Sequence, residues 1–181
     1  MIWRMDTIRV HDKEFRLFIS AEQIDGTVRK LADQINTEYQ DRNPLFIAIL
    51  SGSFMFASDL FKKISIPAEI SFIKLASYKG TRSTGSVITS IGLDQDLHGR
   101  DVIILEDIID TGKTLSVFLP QLEHQQPRSL KICALLHKPE SLQHPVRIDY
   151  LGFSIPDRFV VGYGLDYNGY GRNLPEIYQL V

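Results

Sequence analysis

Cysteine is nearly absent. Cys133 is the only one in 181 residues, so no internal disulfide is possible, and a reduced, cytoplasmic setting is expected. It sits in the apolar run 132–136, which makes it a small core residue rather than a nucleophile. No apolar stretch approaches the roughly 20 residues needed to span a bilayer. The opening Met1-Ile2-Trp3-Arg4-Met5-Asp6 also lacks the long apolar segment of a secretory signal, so no membrane partner is expected. Excess charge is missing too: a net charge of −2 gives no general attraction to nucleic acid. The five histidines are scattered, without metal-ligand spacing. No repeat, low-complexity tract or long charge run breaks the chain, so residues 1–181 read as a single domain with a sizeable core.

What is present is an alternation of strand and helix signals. Ser20-Ala21-Glu22-Gln23 reads as a capping box, followed by a helix with Ile24, Val28, Leu31 and Ile35 on one face. Pro44 precedes Leu45-Phe46-Ile47-Ala48-Ile49-Leu50, a buried strand. Ser51-Gly52-Ser53 then turns into a second helix carrying Phe56, Leu60 and Phe61. Residues 68–75 alternate as a half-covered strand, and 102–105 and 130–136 supply two more. The pattern predicts an α/β fold with a central parallel sheet and helices on both faces. Ligands of such sheets bind beyond the carboxyl ends of the strands. Leu50-Ser51-Gly52, residues 106–114 and Lys138 all fall at ends of that kind.

The densest stretch is Val102-Ile103-Ile104-Leu105-Glu106-Asp107-Ile108-Ile109-Asp110-Thr111-Gly112-Lys113-Thr114. An apolar strand ended by acids leads into a turn, and the turn opens a helix over 113–124 with Leu115, Leu119 and Leu122 at helical spacing. Backbone N–H groups at such a helix start bind anions, so residues 110–114 form a candidate phosphate cradle. The acids just ahead of it would repel a bare phosphate, unless a divalent cation or sugar hydroxyls stand between. A phosphorylated sugar with Mg²⁺ satisfies both demands. The Gly-Lys-Thr ending is shared with nucleoside triphosphatase P-loops, but those need a glycine where this chain has Asp107.

Residues 106–114 resemble the phosphoribosyl-diphosphate signature of the type I phosphoribosyltransferases, in the form of their hypoxanthine-guanine branch. The resemblance extends from about Phe15 to Tyr178. It implies the type I phosphoribosyltransferase fold, with a small hood formed by the N-terminal segment and roughly 138–181. It also implies transfer of a phosphoribosyl group from phosphoribosyl diphosphate to a 6-oxopurine. Glu106 and Asp107 would then hold the ribose hydroxyls and Mg²⁺. Asp110 would serve as acid or base at the purine, and Asp110, Thr111, Gly112, Lys113 and Thr114 would bind the 5′-phosphate.

Four further motifs are absorbed by the same resemblance. The loop Leu50-Ser51-Gly52-Ser53-Phe54 would bind pyrophosphate through Ser51 and Gly52, often across a cis Leu50-Ser51 bond. Ser77 and Tyr78 would belong to a lid. Lys138 would donate to the 6-oxo group. In Pro156-Asp157-Arg158-Phe159-Val160-Val161-Gly162-Tyr163-Gly164-Leu165-Asp166-Tyr167, Phe159 would stack on the purine and Val160 would present backbone groups to its edge. Asp166 would help bind the purine, with Val160, and would face a second Mg²⁺ through water, and Arg172 would contact pyrophosphate. The implied partners are the two small substrates and a second copy of the chain, in a dimer or tetramer. A preference for xanthine or adenine stays open. A regulator of this fold that senses the sugar phosphate should show a basic face or an added DNA-binding domain, and this chain shows neither.

Overall fold

The apolar runs in the middle of the chain become parallel strands, and the residues just past them gather along one edge. The fold, taken from a computed structural model, is described for residues 7–77, 87–91 and 95–181. In chain order the elements are β1 (Thr7–Val10), β2 (Lys13–Ile19), α1 (Ala21–Glu38), β3 (Leu45–Leu50), α2 (Phe54–Phe61), β4 (Glu69–Ser77), β5 (Val87–Ile91), β6 (Asp101–Ile109), α3 (Lys113–Glu123), β7 (Ser129–His137), β8 (Tyr150–Ser154), β9 (Val160–Val161) and β10 (Ile177–Leu180).

Six strands form the larger sheet in the order β5-β4-β3-β6-β7-β8. All neighbours are parallel except β4 and β5, which run antiparallel at the edge. The chain leaves β3 toward β4 on one side and later builds β6, β7 and β8 on the other. The crevice of such a sheet opens where that order reverses, between β3 and β6. Alternate residues serve opposite faces: Phe46, Ala48, Ile103 and Leu105 pack under α1 and α2, whereas Leu45, Ile47, Val102 and Ile104 pack under α3. Burial on both faces is why these strands read as unbroken apolar runs.

The capping box at Ser20 is formed as expected, and α1 buries Ile24, Val28, Leu31 and Ile35, together with Ala32. In α3 the buried stripe is Leu115, Phe118 and Leu122, while Leu119 is only partly covered and Pro120 lies inside the helix. The largest departure from expectation is in β6. The acids do not end it; the strand continues through Glu106 and Asp107 to Ile109. Its ladder to β7 carries on with Glu106 opposite Ala134 and Ile108 opposite Leu136. Pairing and the burial of Ile109 outweigh the poor strand preference of acids.

A second, antiparallel sheet in the order β1-β2-β10-β9 is built from both ends of the chain. Val10, Phe15, Val161 and Tyr178 form its own apolar cluster. These strands are short, and sequence periodicity did not mark them. Among the described residues, no helix is long and apolar enough to cross a membrane.

Candidate active site

The turn after β6 is shaped by one glycine. Gly112 has φ +76 and stands at the N-cap of α3. A Cβ there would lie 2.3 Å from the His144 carbonyl oxygen, so both conformation and space demand glycine. The Thr111 carbonyl accepts the N–H groups of Gln143 and His144 at 3.1 and 3.0 Å, which closes the segment after β7 over the turn. Gly112 offers no capping side chain to the first turn of α3. That turn borders a cavity of about 100 Å³, lined by Glu106 and residues 108–115. Helix dipole and amide donors together suit it to an anion.

Glu106 is 7% exposed, at the end of the buried part of β6. Burial first, and the neighbouring Asp107 carboxylate second, hold Glu106 well above the usual carboxylate range. Burial raises Asp107 as well, against the backbone amides of Ile108 and Asp107 that lower it. Two adjacent, desolvated carboxylates are hard-oxygen donors for which a divalent cation is the natural compensation. Among the described residues, no three Asp, Glu, His or Cys side chains converge on one point. A cation there would therefore complete its shell with water and substrate oxygens, the usual habit of Mg²⁺.

The raised carboxyl has a measurable cost. Its penalty is absent below the ordinary glutamate value of about 4.5, where folded and unfolded chains are both protonated, and it grows as pH climbs toward the raised native value. Glu106→Gln should therefore melt above the wild type at pH 7–8 without divalent ions, by about 2–4 °C for each kcal/mol relieved. The gap should close as pH falls toward 4.5. Melting curves of the two proteins across pH test this, and a variant that melts lower at neutral pH refutes it.

A second cavity, of about 350 Å³, adjoins the first and shares Ile108 and Asp110 with it. Gly52, Asp107 and Arg172 line one side. Leu50-Ser51 is a cis peptide bond, and the turn brings Gly52 so close to Asp107 that a Cβ would sit 1.6 Å from Asp107 Oδ2. The buried Ser53 hydroxyl donates to the Ile49 carbonyl at 2.6 Å and fixes the start of α2. Arg172 is held from two directions: Nη2 lies 2.6 Å from Asp166 Oδ1, and Nη1 donates to the Gly164 carbonyl at 2.6 Å. Asp166 also accepts the Gly169 N–H at 2.7 Å. The loop carrying these groups rests on the Gly52 turn, since a Cβ on Gly164 would lie 2.0 Å from the Gly52 carbonyl oxygen. The Tyr163 hydroxyl anchors it to α2 by donating to Asp59 at 2.7 Å.

Lys138, Phe159 and Val160 line the same cavity. Lys138 follows β7 and is almost fully buried, with Nζ 3.5 Å from Asp110 Oδ2 and 3.3 Å from Asp157 Oδ1. Phe159 is 45% exposed, not the packed core residue its valine neighbours suggest. Phe15 and Tyr167 support its ring, with centroids at 6.2 and 5.8 Å, and leave part of it open. Val160 belongs to β9 and is held by β10. The lining thus combines an aromatic surface and an ammonium with a guanidinium beside carboxylates. Such a cavity suits a flat, polar-edged ring on one side and a charged phosphate group on the other.

Of the residues singled out in the sequence, Glu106, Asp107, Asp110–Thr114 (residues 110–114), Gly52, Lys138, Phe159, Val160, Asp166 and Arg172 all line these two cavities. Ser51 is exposed and lines neither. Ser77 is described only as the last residue of β4, and Tyr78 lies outside the described residues. Sequence reasoning missed Ile108 and Leu165, apolar lining residues without a distinguishing signal. It also passed over Asp157 and Tyr163, which were quoted in a motif but given no task.

The phosphoribosyl transferase domain family matches residues 20–168. A hypoxanthine phosphoribosyltransferase of Buchnera aphidicola subsp. Schizaphis graminum is 44% identical over 169 residues, which are 92% of this chain and 96% of that protein. A hypoxanthine-guanine phosphoribosyltransferase of Bacillus subtilis is 43% identical over 168 residues, 92% of this chain and 93% of that protein. Among solved structures, a hypoxanthine-guanine phosphoribosyltransferase from Bacillus anthracis superposes with a TM-score of 0.85 at 41% identity, covering 91% of this chain and 96% of its own.

Proposed function

This chain belongs to the phosphoribosyl transferase family, and from that premise we propose that it is a purine-salvage enzyme that transfers the 5-phosphoribosyl group of phosphoribosyl diphosphate to hypoxanthine and guanine. The products are the nucleoside monophosphate and pyrophosphate. One observation carries the reading: Asp110 is shared by a phosphate-sized cavity at the start of α3 and a larger cavity walled by Phe159 and Lys138.

Residues 110–114 hold the 5′-phosphate on the amides of the turn. Glu106 and Asp107 accept from the ribose 2′- and 3′-hydroxyls and lower the energy of positive charge that develops at C1′. Gly52 and Arg172 hold the leaving pyrophosphate, Gly52 through its backbone and Arg172 through its guanidinium. Phe159 stacks on the purine, and Lys138 donates to its 6-oxo group. The purine nitrogen attacks C1′ as the C1′–O bond to pyrophosphate breaks, and Asp110 takes up the proton released from N7. Mg²⁺ would be held by Glu106 and Asp107, with a second ion facing Asp166 through water, and would supply charge neutralisation at the pyrophosphate. Most of the acceleration comes from positioning and electrostatics, since no covalent intermediate is needed. The setting is the cytoplasm, and the working form is a homodimer or homotetramer.

Initial rates with hypoxanthine, guanine, xanthine and adenine, each with phosphoribosyl diphosphate and Mg²⁺, test the proposal. Adenine, whose 6-amino group faces the Lys138 donor, should react at least about 100-fold more slowly than hypoxanthine. Preference for adenine, or no turnover of any base, overturns it.

A further inference from the structure

The environment of Lys138 contains more negative charge than binding a purine alone requires. Its side chain is 8% exposed, yet two carboxylates reach it from different parts of the chain. Asp110 comes from the turn after β6, and Asp157 from the loop before β9. An ammonium has three N–H donors; two carboxylates occupy two and leave one for a neutral acceptor such as a 6-oxo group. The two acids are not equivalent. When Asp110 receives the N7 proton it becomes neutral, the N–H electron pair stays on the purine, and Asp110 no longer balances the buried ammonium. An uncompensated buried charge is costly. Asp157 is the remaining counter-charge.

We infer that Asp157 is a positioning residue that holds the Lys138 ammonium at the base pocket, so that it neither collapses onto Asp110 nor loses its counter-charge during turnover. The inference rests on the 6-oxopurine reading of the site. Its second support is placement. Asp157 lies two residues before Phe159, so a single loop carries both the stacking surface and the group that aims the donor. The Ser141 hydroxyl and then Lys138 hold the Asp157 carboxyl below its ordinary range. Asp157 itself is 61% exposed and lines neither cavity, so it acts through Lys138 rather than on the substrate.

Steady-state kinetics of the full chain, with hypoxanthine and phosphoribosyl diphosphate varied separately, tests this on Asp157→Asn and Asp157→Glu. The Asn variant should raise the KM for hypoxanthine about tenfold, as expected for loss of one charge-assisted hydrogen bond, and leave the KM for phosphoribosyl diphosphate within about twofold. The Glu variant, which restores the charge, should recover most of the loss. An unchanged hypoxanthine KM, or an equal rise for both substrates in either variant, overturns the role of Asp157. A wild-type protein that does not turn over hypoxanthine overturns the functional reading as well, which distinguishes the two failures.

Discussion

Asp110→Asn should bind phosphoribosyl diphosphate nearly normally and lose turnover by about 10²–10⁴-fold, the range for a positioned acid–base group. The amide matches the carboxylate in shape, so the turn that leads into Gly112 keeps its geometry, and the amides of residues 111–114 stay available to the 5′-phosphate. What changes is the proton inventory. A carboxylate at 3.5 Å from Lys138 can take up the N7 proton, and a neutral amide cannot. Lys138 keeps Asp157 as a partner at 3.3 Å, so the ammonium is not stranded in the variant. The defect should therefore sit in kcat, with little change in the dissociation constant of phosphoribosyl diphosphate measured by titration calorimetry. Unchanged turnover would remove Asp110 from proton transfer. A parallel loss of substrate affinity would make it a phosphate-binding residue only.

Gly52→Ala is the second large effect, and it acts through a neighbour. The new methyl would occupy the space of Asp107 Oδ2, 1.6 Å away, and that of its carboxyl carbon, 2.5 Å away. The Gly52 turn cannot retreat, because its carbonyl already touches the backbone of Gly164 from the loop that carries Asp166 and Arg172. Asp107 must swing out, and the contacts proposed for it, to ribose and to a cation, go with it. A fall in kcat/KM for phosphoribosyl diphosphate of at least about 100-fold, or roughly 2.7 kcal/mol, is expected. Gly26→Ala is the matched control. It lies in α1 with open space around it, and it should keep full activity and gain about 0.5–1 kcal/mol of stability from the removal of a helical glycine. Equal kinetics for the two variants would show that the close packing of Gly52 on Asp107 is not used.

The parts of the fold legible in the sequence were those in which local pattern and tertiary burial agree. β3 and the apolar part of β6 are covered on both faces, so their runs announce themselves, and the capping box of α1 is local by nature. Strand ends in a parallel sheet are fixed by topology, which is why residues 50–52, 106–114 and 138 could be assigned to one edge. The extension of β6 through two acids was not legible, because the pairing with β7 that enforces it is a property of the partner strand. The second sheet was not legible either: its strands are two to seven residues long, and the pairing of β2 with β10 that joins its halves links opposite ends of the chain. Pairs such as Asp157 with Lys138, or Tyr163 with Asp59, 104 positions apart, exist only once the chain is folded. Composition gives no hint of them.

The order β1-β2-β10-β9 places the strand that follows all the others in the chain between two of them, rather than at an edge. During synthesis the six-stranded sheet has all its strands once β8 is made, and the phosphate turn with them. The aromatic wall has no such independence. Val160 in β9 hangs on β10, and β10 in turn joins β9 to β2. A chain truncated after Arg172 would keep every polar residue that lines the two cavities but lack the strand that seats Val160. The wall proposed to hold the purine therefore depends on β10 taking its place between β2 and β9, whereas the turn after β6 depends on the larger sheet alone.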